Sequence, residues 1–427
     1  MSHRLLRFLL IFVLTLAVAC DHQLQAQTAN SAYHYLASSA DRARASIDST
    51  QLLAEPKSSK HKSQLELGFL VSYETPASNH PFDVMMHNVA FTYDNAVSAL
   101  AFIAAGDHQR AKQIVDTLVY AQNHDRFFHD GRVRNAYRGG RLVSPSGDVL
   151  LPGRYDDQAK RWVEQESQIS THTGNVAWAM LALLGYYETY GGNPYLVAAK
   201  KMGEWIEQNC HAANSGYIGG FSGWEPKPNP ITYKSTEHNI DLYAAFKRLY
   251  LITGDRVWQE RANYAKQFVQ SMWDQTEGKF WTGTQADGET AYKNVVPLDV
   301  QAWAVLAFRE EGKPYQQALK YAEKHHKVDQ GFTFNHDGDG IWYEGTAQMA
   351  VAYQRTGQSQ KSKTLISTLK AGQDKSGGLY TTNQAELRTG FIMPDGNPWN
   401  YYRRIHVGAT AWMVLAEKGV NPFWLGK

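Results

Sequence analysis

From about residue 93 to the C-terminus the chain alternates between two apolar patterns. One is almost continuous: Ala-Leu-Ala-Phe-Ile-Ala-Ala from residue 99, Ala-Met-Leu-Ala-Leu-Leu from 179, and Ala-Val-Leu-Ala-Phe from 304. Helices that are apolar on nearly every side are buried, and alanine-rich faces let neighbouring helices approach closely. The other pattern is amphipathic, with charges along one side, as in Ala198-Ala199-Lys200-Lys201 and Lys320-Tyr321-Ala322-Glu323-Lys324. Segments of this kind fall at 109–123, 194–209, 256–273, 315–326 and 360–371, and they predict outer helices with one wet face.

The buried-type segments open on a shared signature of polar or glycine residues running into alanine. The six openings are Tyr93-Asp94-Asn95-Ala96, Thr173-Gly174-Asn175-Val176, His238-Asn239-Ile240-Asp241, Leu298-Asp299-Val300-Gln301, Glu344-Gly345-Thr346-Ala347 and Val407-Gly408-Ala409-Thr410. Glycines stop several of these helices, at Gly106, Gly254 and Gly357, as left-handed C-terminal caps do. After each amphipathic segment a glycine sits near an aromatic residue, as in Gly216-Tyr217, Gly278-Lys279-Phe280 and Gly331-Phe332. That punctuation predicts a turn and a short extended piece. A unit repeated in this way is a helical hairpin, and six of them imply an all-α fold, an (α/α)6 toroid with short extended loops at its mouth. Only five outer helices follow the six inner ones. The sixth is expected from 32–47, where Tyr33, Tyr35, Leu36, Ala40, Ala43 and Ile47 have helical spacing. The ring would then close by pairing the two ends of one domain, 33–427.

The N-terminal segment changes the picture of where such a ring would work. Arg4 and Arg7 precede an apolar run from Phe8 to Ala19. The run is short for a membrane span and fits a signal-peptide core over 1–20. It ends in Leu16-Ala17-Val18-Ala19-Cys20, which resembles a bacterial lipobox and makes Cys20 the expected lipidation site, with 21–32 as a tether. Asp21 resembles an inner-membrane retention signal. The expected location is therefore periplasmic or membrane-anchored, with contact to the membrane only through the lipid. The formal net charge is +2, which supplies no field for nucleic acid. Cys210 is the second of two cysteines and is expected to be a buried small hydrophobe. No metal or cofactor motif is present, and Asn335-His336-Asp337-Gly338-Asp339-Gly340 is expected to be a turn, because Thr346 stands where a calcium loop needs a glutamate.

The hairpin repeat, with acidic residues at the inner-helix starts, resembles the six-hairpin glycosidase superfamily over roughly residues 32–424. The resemblance implies a ring in which the inner-helix N-termini converge on one mouth, and a glycoside hydrolase acting on a poly- or oligosaccharide, with inversion at the anomeric carbon. It also leaves room for sugar epimerases and polysaccharide lyases, since fold does not settle chemistry. A non-catalytic sugar-binding lipoprotein is a further alternative.

Reading the repeat starts round such a mouth brings together Tyr93 and Asp94, His172, Glu237 and His238, Asp299, Tyr343 and Glu344, and His406. Carboxylates near helix starts are often caps or dipole partners, but glycoside hydrolysis needs one protonated and one ionised carboxyl about the scissile bond. The expected acid is Glu237, following a long loop with Trp224, and the expected base is Asp94; Glu344 and Asp299 are the further catalytic candidates. Tyr93, His172, Trp224, His238, Tyr343, Arg404 and His406 are expected to bind substrate. Trp281, Trp342, Trp399, Tyr233 and Tyr402 are additional mouth aromatics, and Trp178, Trp303 and Trp412 should form ring core and cavity floor. Asp241 lies one turn deeper, as a structural partner. In the epimerase or lyase alternative, His172, His238 and His406 would carry protons with a tyrosine.

Overall fold

The structure is a computed structural model that describes residues 31–51, 67–144, 147–393 and 396–425. The expected signal peptide, Cys20 and the tether up to residue 30 lie outside the described residues. No helix among the described residues is long and apolar enough to cross a membrane.

The ring helices are α1 (Ala32–Gln51), α2 (Thr92–Ala105), α3 (His108–Asn123), α4 (Thr173–Tyr190), α5 (Asn193–Cys210), α6 (Thr236–Thr253), α7 (Arg256–Ser271), α8 (Leu298–Phe308), α9 (Gln317–His325), α10 (Tyr343–Arg355), α11 (Ser359–Ala371) and α12 (Val407–Lys418). The even-numbered helices form the inner ring. Each packs on the next, and α12 returns to pack on α2. Each of the first five inner helices also packs on the outer helix that follows it, and α12 packs instead on α1. The fold is therefore the (α/α)6 toroid that the repeat predicts. Inner helices are buried nearly all round; in α8 every residue is buried. Outer helices bury one stripe, such as Trp258, Ala262, Ala265, Phe268 and Val269 in α7.

Closure at α1 rests on apolar burial and a polar clasp. Tyr35, Leu36 and Ala40 are buried. The Tyr33 hydroxyl donates to Asp107 Oδ2 at 2.9 Å, and Arg110 joins Asp107 to Asp41 of α1. Asp107 also caps α3 by accepting from the Arg110 N–H. Extended pieces close the ring a second time, because Ile405-His406, just before α12, pairs antiparallel with Tyr73-Glu74 from the loop that leads into α2.

One device repeats at the mouth. The fourth residue of five inner helices (Asn95, Asn239, Gln301, Thr346 and Thr410) accepts a backbone N–H from an extended segment outside the helix: from Leu70, Tyr217, Phe280, Phe332 and Leu379 respectively. The same side chain donates back to its own helix start, for example Gln301 Nε2 to the Pro297 carbonyl. In α4 the position is Val176, and there Thr173 Oγ1 bonds the Ile218 carbonyl instead. Buried backbone groups of each mouth segment are thereby satisfied by side chains, and the inner-helix starts are pinned in place. The extended pieces follow the predicted glycine–aromatic punctuation, as in the Trp273-Asp274 pair with Lys279-Phe280 and the Lys327-Val328 pair with Gly331-Phe332.

Two segments differ from the sequence expectation. The fourth outer helix begins later than residue 315, because Arg309 takes φ 53° and a 3-10 stretch, Arg309–Gln316, with Pro314 inside it, precedes α9. Proline removes an N–H and cannot sit inside an α-helical turn without breaking it. The loop before α12 holds the longest strands among the described residues, Glu386–Ile392 and Pro398–Tyr402, paired antiparallel with a bulge at Gly390, whose φ is +84°. The turn at 335–340 is tied to this hairpin: Asp339 Oδ2 accepts from the Arg388 backbone N–H at 2.8 Å and its side chain at 3.3 Å. Among the described residues no cluster of His, Cys, Asp and Glu is arranged to hold a metal ion. Cys210 is fully buried, and burial pushes its thiol up to about 12.

If α1 completes the ring, Leu36→Ala should cost about 3 kcal/mol, typical of a buried leucine, and removal of the segment through residue 51 should cost far more. Thermal melts of the two variants check this; a truncated chain melting like the parent would contradict it.

Candidate active site

Residues at the starts of α2, α10 and α12 meet in one buried network. The Tyr93 hydroxyl accepts from Trp412 Nε1 at 2.7 Å and donates to Glu344 Oε1 at 2.5 Å. Glu344 Oε2 lies 3.5 Å from His406 Nδ1, and His406 Nε2 is 3.1 Å from Asp94 Oδ2. Because the Ala409 N–H donates to Nδ1, the neutral imidazole carries its proton on Nε2, directed at Asp94. Tyr73 stacks on His406 with ring centroids 4.4 Å apart. Burial works to lower the His406 pKa, but Asp94, through charge and hydrogen bond, and then Glu344 outweigh it and raise it. Burial raises Glu344 to about 7, against the lowering effect of His406 and the Tyr93 hydrogen bond. Glu344 is thus hydrogen-bonded through Oε1, while its Oε2 faces His406 Nδ1. Asp94 is also enclosed, since a Cβ added to Gly408 would meet its Oδ1 at 2.5 Å.

Glu237 and Asp299 open the next two inner helices, α6 and α8, and their surroundings are different. Glu237 keeps part of its surface exposed and makes no hydrogen bond among the described residues. Burial, followed by the charges of Asp299 and Glu344, pushes its pKa well above the usual carboxylate value. Asp299 Oδ1 accepts from the Val300 N–H at 2.6 Å, and its other oxygen has no partner among the described residues. Burial raises it to about 7, aided by Glu344 and opposed by the Val300 hydrogen bond. Helix N-termini favour carboxylates, yet desolvation wins here because these groups sit where the ring walls exclude water.

His172 and His238 face each other with ring centroids 6.4 Å apart, and both are partly exposed. Burial lowers His172 to about 4, and burial together with His172 lowers His238 to about 3. Both are neutral at neutral pH. Below the mouth, Trp178, Trp303 and Trp412 pack together as the floor, with centroids 5.1–6.0 Å apart, and Tyr93 rests edge-on against Trp178 at 5.2 Å. Asp241 is fully buried near this floor and neither oxygen is hydrogen-bonded among the described residues. Burial, then Glu237 and Asp299, keep it protonated far above the usual range.

The remaining candidates are placed elsewhere. The Tyr343 ring fills the space beside Gly372 at the end of α11, where a Cβ would lie 2.4 Å from it, so it packs between inner and outer helices. Arg404 forms a two-pronged ion pair with buried Asp83 at 2.6 and 2.7 Å, which ties the short helix Pro81–Met86 to the last repeat. Trp224 stands exposed on the hairpin 220–231. Trp342 is buried and stacks on Tyr401 at 5.7 Å, and Tyr401 leads along the hairpin to exposed Trp399 at 6.0 Å. Tyr402 packs with Phe82 at 5.0 Å. Trp281 lies under Lys279 at 3.9 Å. Tyr73, Gln348 and Tyr401 are site neighbours that the sequence reading missed. Gln348 Nε2 reaches Glu344 Oε1 at 3.4 Å, and Tyr401 is raised by burial and then by Glu344. The buried-exposed alternation through Leu387, Thr389 and Phe391 was the available signal for the hairpin that carries Tyr401.

No protein-family model matches the chain, and no curated protein matches it in sequence. Solved structures do match. A cellobiose 2-epimerase from Bacillus thermoamylovorans is 14% identical, covers 89% of this chain and 98% of its own, and aligns with TM-score 0.58. A wild-type glycosidase is 12% identical, covers 90% and 98%, and has TM-score 0.56. A D-mannose isomerase is 10% identical, covers 90% and 97%, and also has TM-score 0.56. At these identities the likeness shows the fold, an (α/α)6 toroid.

The shifted carboxyls carry a stability signature. Asp299 moves from 3.8 in the unfolded chain to about 7 when folded, so between those values the folded state holds the extra proton. Its contribution therefore weakens as pH rises through that window. His172 and His238 act in the opposite sense as pH falls below 6.5, so the comparison must be made against a variant. Asp299→Asn should gain stability relative to the parent as pH rises from 5 to 8, on the order of 2 kcal/mol. Denaturant unfolding of both proteins at the two pH values measures it; an unchanged difference would remove the burial argument.

Proposed function

We propose that the protein is a sugar-processing enzyme, and that it hydrolyses glycosidic bonds with Glu237 as general acid and Asp299 as general base. The observation that carries this reading is the pair itself. Two carboxyls open adjacent inner helices, each has an oxygen free of protein partners, and the charge of Asp299 helps to raise Glu237. Repulsion between neighbouring carboxyls places the proton on one and leaves the other ionised, which is the division of labour that glycoside hydrolysis requires.

Glu237 holds its proton and is open to the mouth, so it can deliver that proton to a departing glycosidic oxygen. Asp299, with a pKa of about 7, is ionised above neutrality and can take a proton from an attacking water. Water activated in this way displaces the leaving group in a single step, and the product emerges with inverted anomeric configuration. The network Asp94–His406–Glu344–Tyr93 then supports the site. It holds Tyr93 at the floor and places the His406 imidazole between two carboxyls that raise its pKa. This assigns Asp94 to positioning His406, which its Oδ2 meets at 3.1 Å, and passes the base role to Asp299, which has no imidazole partner among the described residues. Tyr401, backed by buried Trp342, and exposed Trp399 offer ring faces on which sugars can stack, from the mouth to the open rim.

Epimerisation is the second reading, favoured by one observation: His172 and His238 stand together, unprotonated and open to the mouth. A base works best with a pKa near the operating pH, and values of about 4 and 3 make these rings weak bases. Asp299 and Glu344 are the groups tuned close to neutrality.

Glu237→Gln and Asp299→Asn should each lower kcat/KM by ~10²–10⁴-fold, while thermal stability at pH 7 is retained. Reducing-sugar release across a panel of bacterial polysaccharides reads the hydrolysis, and proton NMR reads the anomer first formed. Interconversion of sugars with deuterium uptake from solvent and no chain cleavage would establish epimerisation instead. The pH profile of kcat/KM should rise to a plateau as Asp299 loses its proton near pH 7 and fall at higher pH as Glu237 loses its own. A profile flat between pH 6 and 8 would contradict the Asp299 assignment.

A further inference from the structure

The loop between α3 and α4 carries a two-stranded ribbon that the proposed reaction does not use. Arg154–Asp156 and Arg161–Val163 pair antiparallel, with Tyr155 directly opposite Trp162, so their rings share one face. Both are exposed, at 56% and 42%. Trp162 is held in position: a Cβ on Gly153 would meet its indole Nε1 at 2.6 Å, and the Arg138 guanidinium lies 5.9 Å from its ring. Arg138, Arg154, Lys160 and Arg161 are exposed, and none of them forms an ion pair among the described residues. Asp156 accepts the N–H groups of Gln158 and Ala159 at 2.9 and 2.8 Å, and the nearby charges of Arg154 and Arg161 add to these bonds in lowering its pKa. Single exposed apolar residues are ordinary; an opposed aromatic pair beside the Arg138 guanidinium, on a ribbon whose other face carries Arg154 and Arg161, is a shaped surface.

The ends of the ribbon fix it to the rim of the mouth. Asn88 Nδ2 donates to the Gly153 carbonyl at 2.9 Å, and Asn88 directly precedes the strand Val89–Phe91 that enters α2. Glu164 pairs with Arg126 at 2.5 and 2.8 Å, and Arg126 also pairs with Glu225 on the hairpin that leads towards α6. The ribbon therefore stands between two loops that enter the cleft.

We propose that this ribbon is a secondary binding platform for an acidic polysaccharide, seating the chain outside the cleft in which it is cleaved. The proposal rests on the glycan-cleaving reading. Sugar rings stack on the Tyr155 and Trp162 faces, and chain carboxylates meet Arg138 beside the rings and Arg154 and Arg161 where the chain wraps the ribbon's edge, as charge-assisted hydrogen bonds from guanidinium are strong. An anionic bilayer also attracts aromatic and basic groups, but a bilayer lying on this rim would cover the mouth, and this favours the glycan.

Affinity electrophoresis tests the platform, using the full chain carrying Glu237→Gln in gels containing polygalacturonate, alginate or neutral hydroxyethylcellulose. The acidic gels should retard the protein and the neutral gel should not. Tyr155→Ala with Trp162→Ala should weaken retardation about tenfold. Arg154→Gln with Arg161→Gln should weaken it several-fold, as should raised salt. With Glu237 restored, the aromatic variant should cleave short oligosaccharides like the parent. Equal retardation by the neutral gel, retardation by none of the gels, or unaltered binding by the aromatic variant would overturn the platform. So would flotation with phosphatidylglycerol vesicles in the absence of polysaccharide binding. Retardation of a chain that hydrolyses nothing would leave the platform standing and remove the catalytic assignment.

Discussion

Closure of the ring is the constraint on which everything else depends. Six inner helices that each touch two inner neighbours must aim their N-termini at one mouth, and the last can do so only if it finds both α2 and an outer partner. That partner is α1, far away in sequence. Once the circle is complete, side chains at the second position of α2, α6, α8 and α10 have nowhere to go but inward or into the walls. The buried floor of Trp178, Trp303 and Trp412 fixes how deep they can sit. The polar fourth residues then hold the helix starts to their loops, so the mouth is braced by bonds that repeat from one hairpin to the next.

Electrostatics follows from that geometry. Each inner helix presents the positive end of its dipole to the mouth, an arrangement that would favour ionised carboxylates. Glu237, Asp299 and Glu344 are nevertheless pushed towards protonation, because the converging walls remove the water that would solvate a charge, and because their neighbours are also acidic. His406 responds in the opposite direction, since two carboxyls outweigh its own burial. His172 and His238 lack such partners and remain neutral. One enclosed space thus holds a carboxyl raised well above its ordinary value, two carboxyls poised near neutrality and a raised imidazole, and the difference among them lies in which neighbour each one faces.

Several residues of like appearance in the sequence separate on this basis. Asp94 and Asp299 both sit near the start of an inner helix, yet Asp94 is paired with His406 and packed against Gly408, while Asp299 bonds only the N–H of its neighbour Val300. Tyr93 and Tyr343 occupy similar positions in their repeats, but one enters the floor and the other fills space beside Gly372. Arg404 is held by Asp83, more than three hundred positions earlier in the chain, and acts as a brace.

The alternation of all-round apolar and amphipathic segments determined the helices, their pairing and the count of hairpins, because burial pattern and helix period are local properties that a chain carries in its own order. The glycine stops and the role of 32–47 as the closing outer helix were legible for the same reason, as was the set of acidic residues at the repeat starts. The tertiary structure alone decided which of those carboxyls are open, which are enclosed, and that a hairpin at 386–402 brings Tyr401 over them. A proton's preference for one carboxyl depends on distance and desolvation within a few ångströms, and those distances exist only after residues from six hairpins have been drawn round a common mouth.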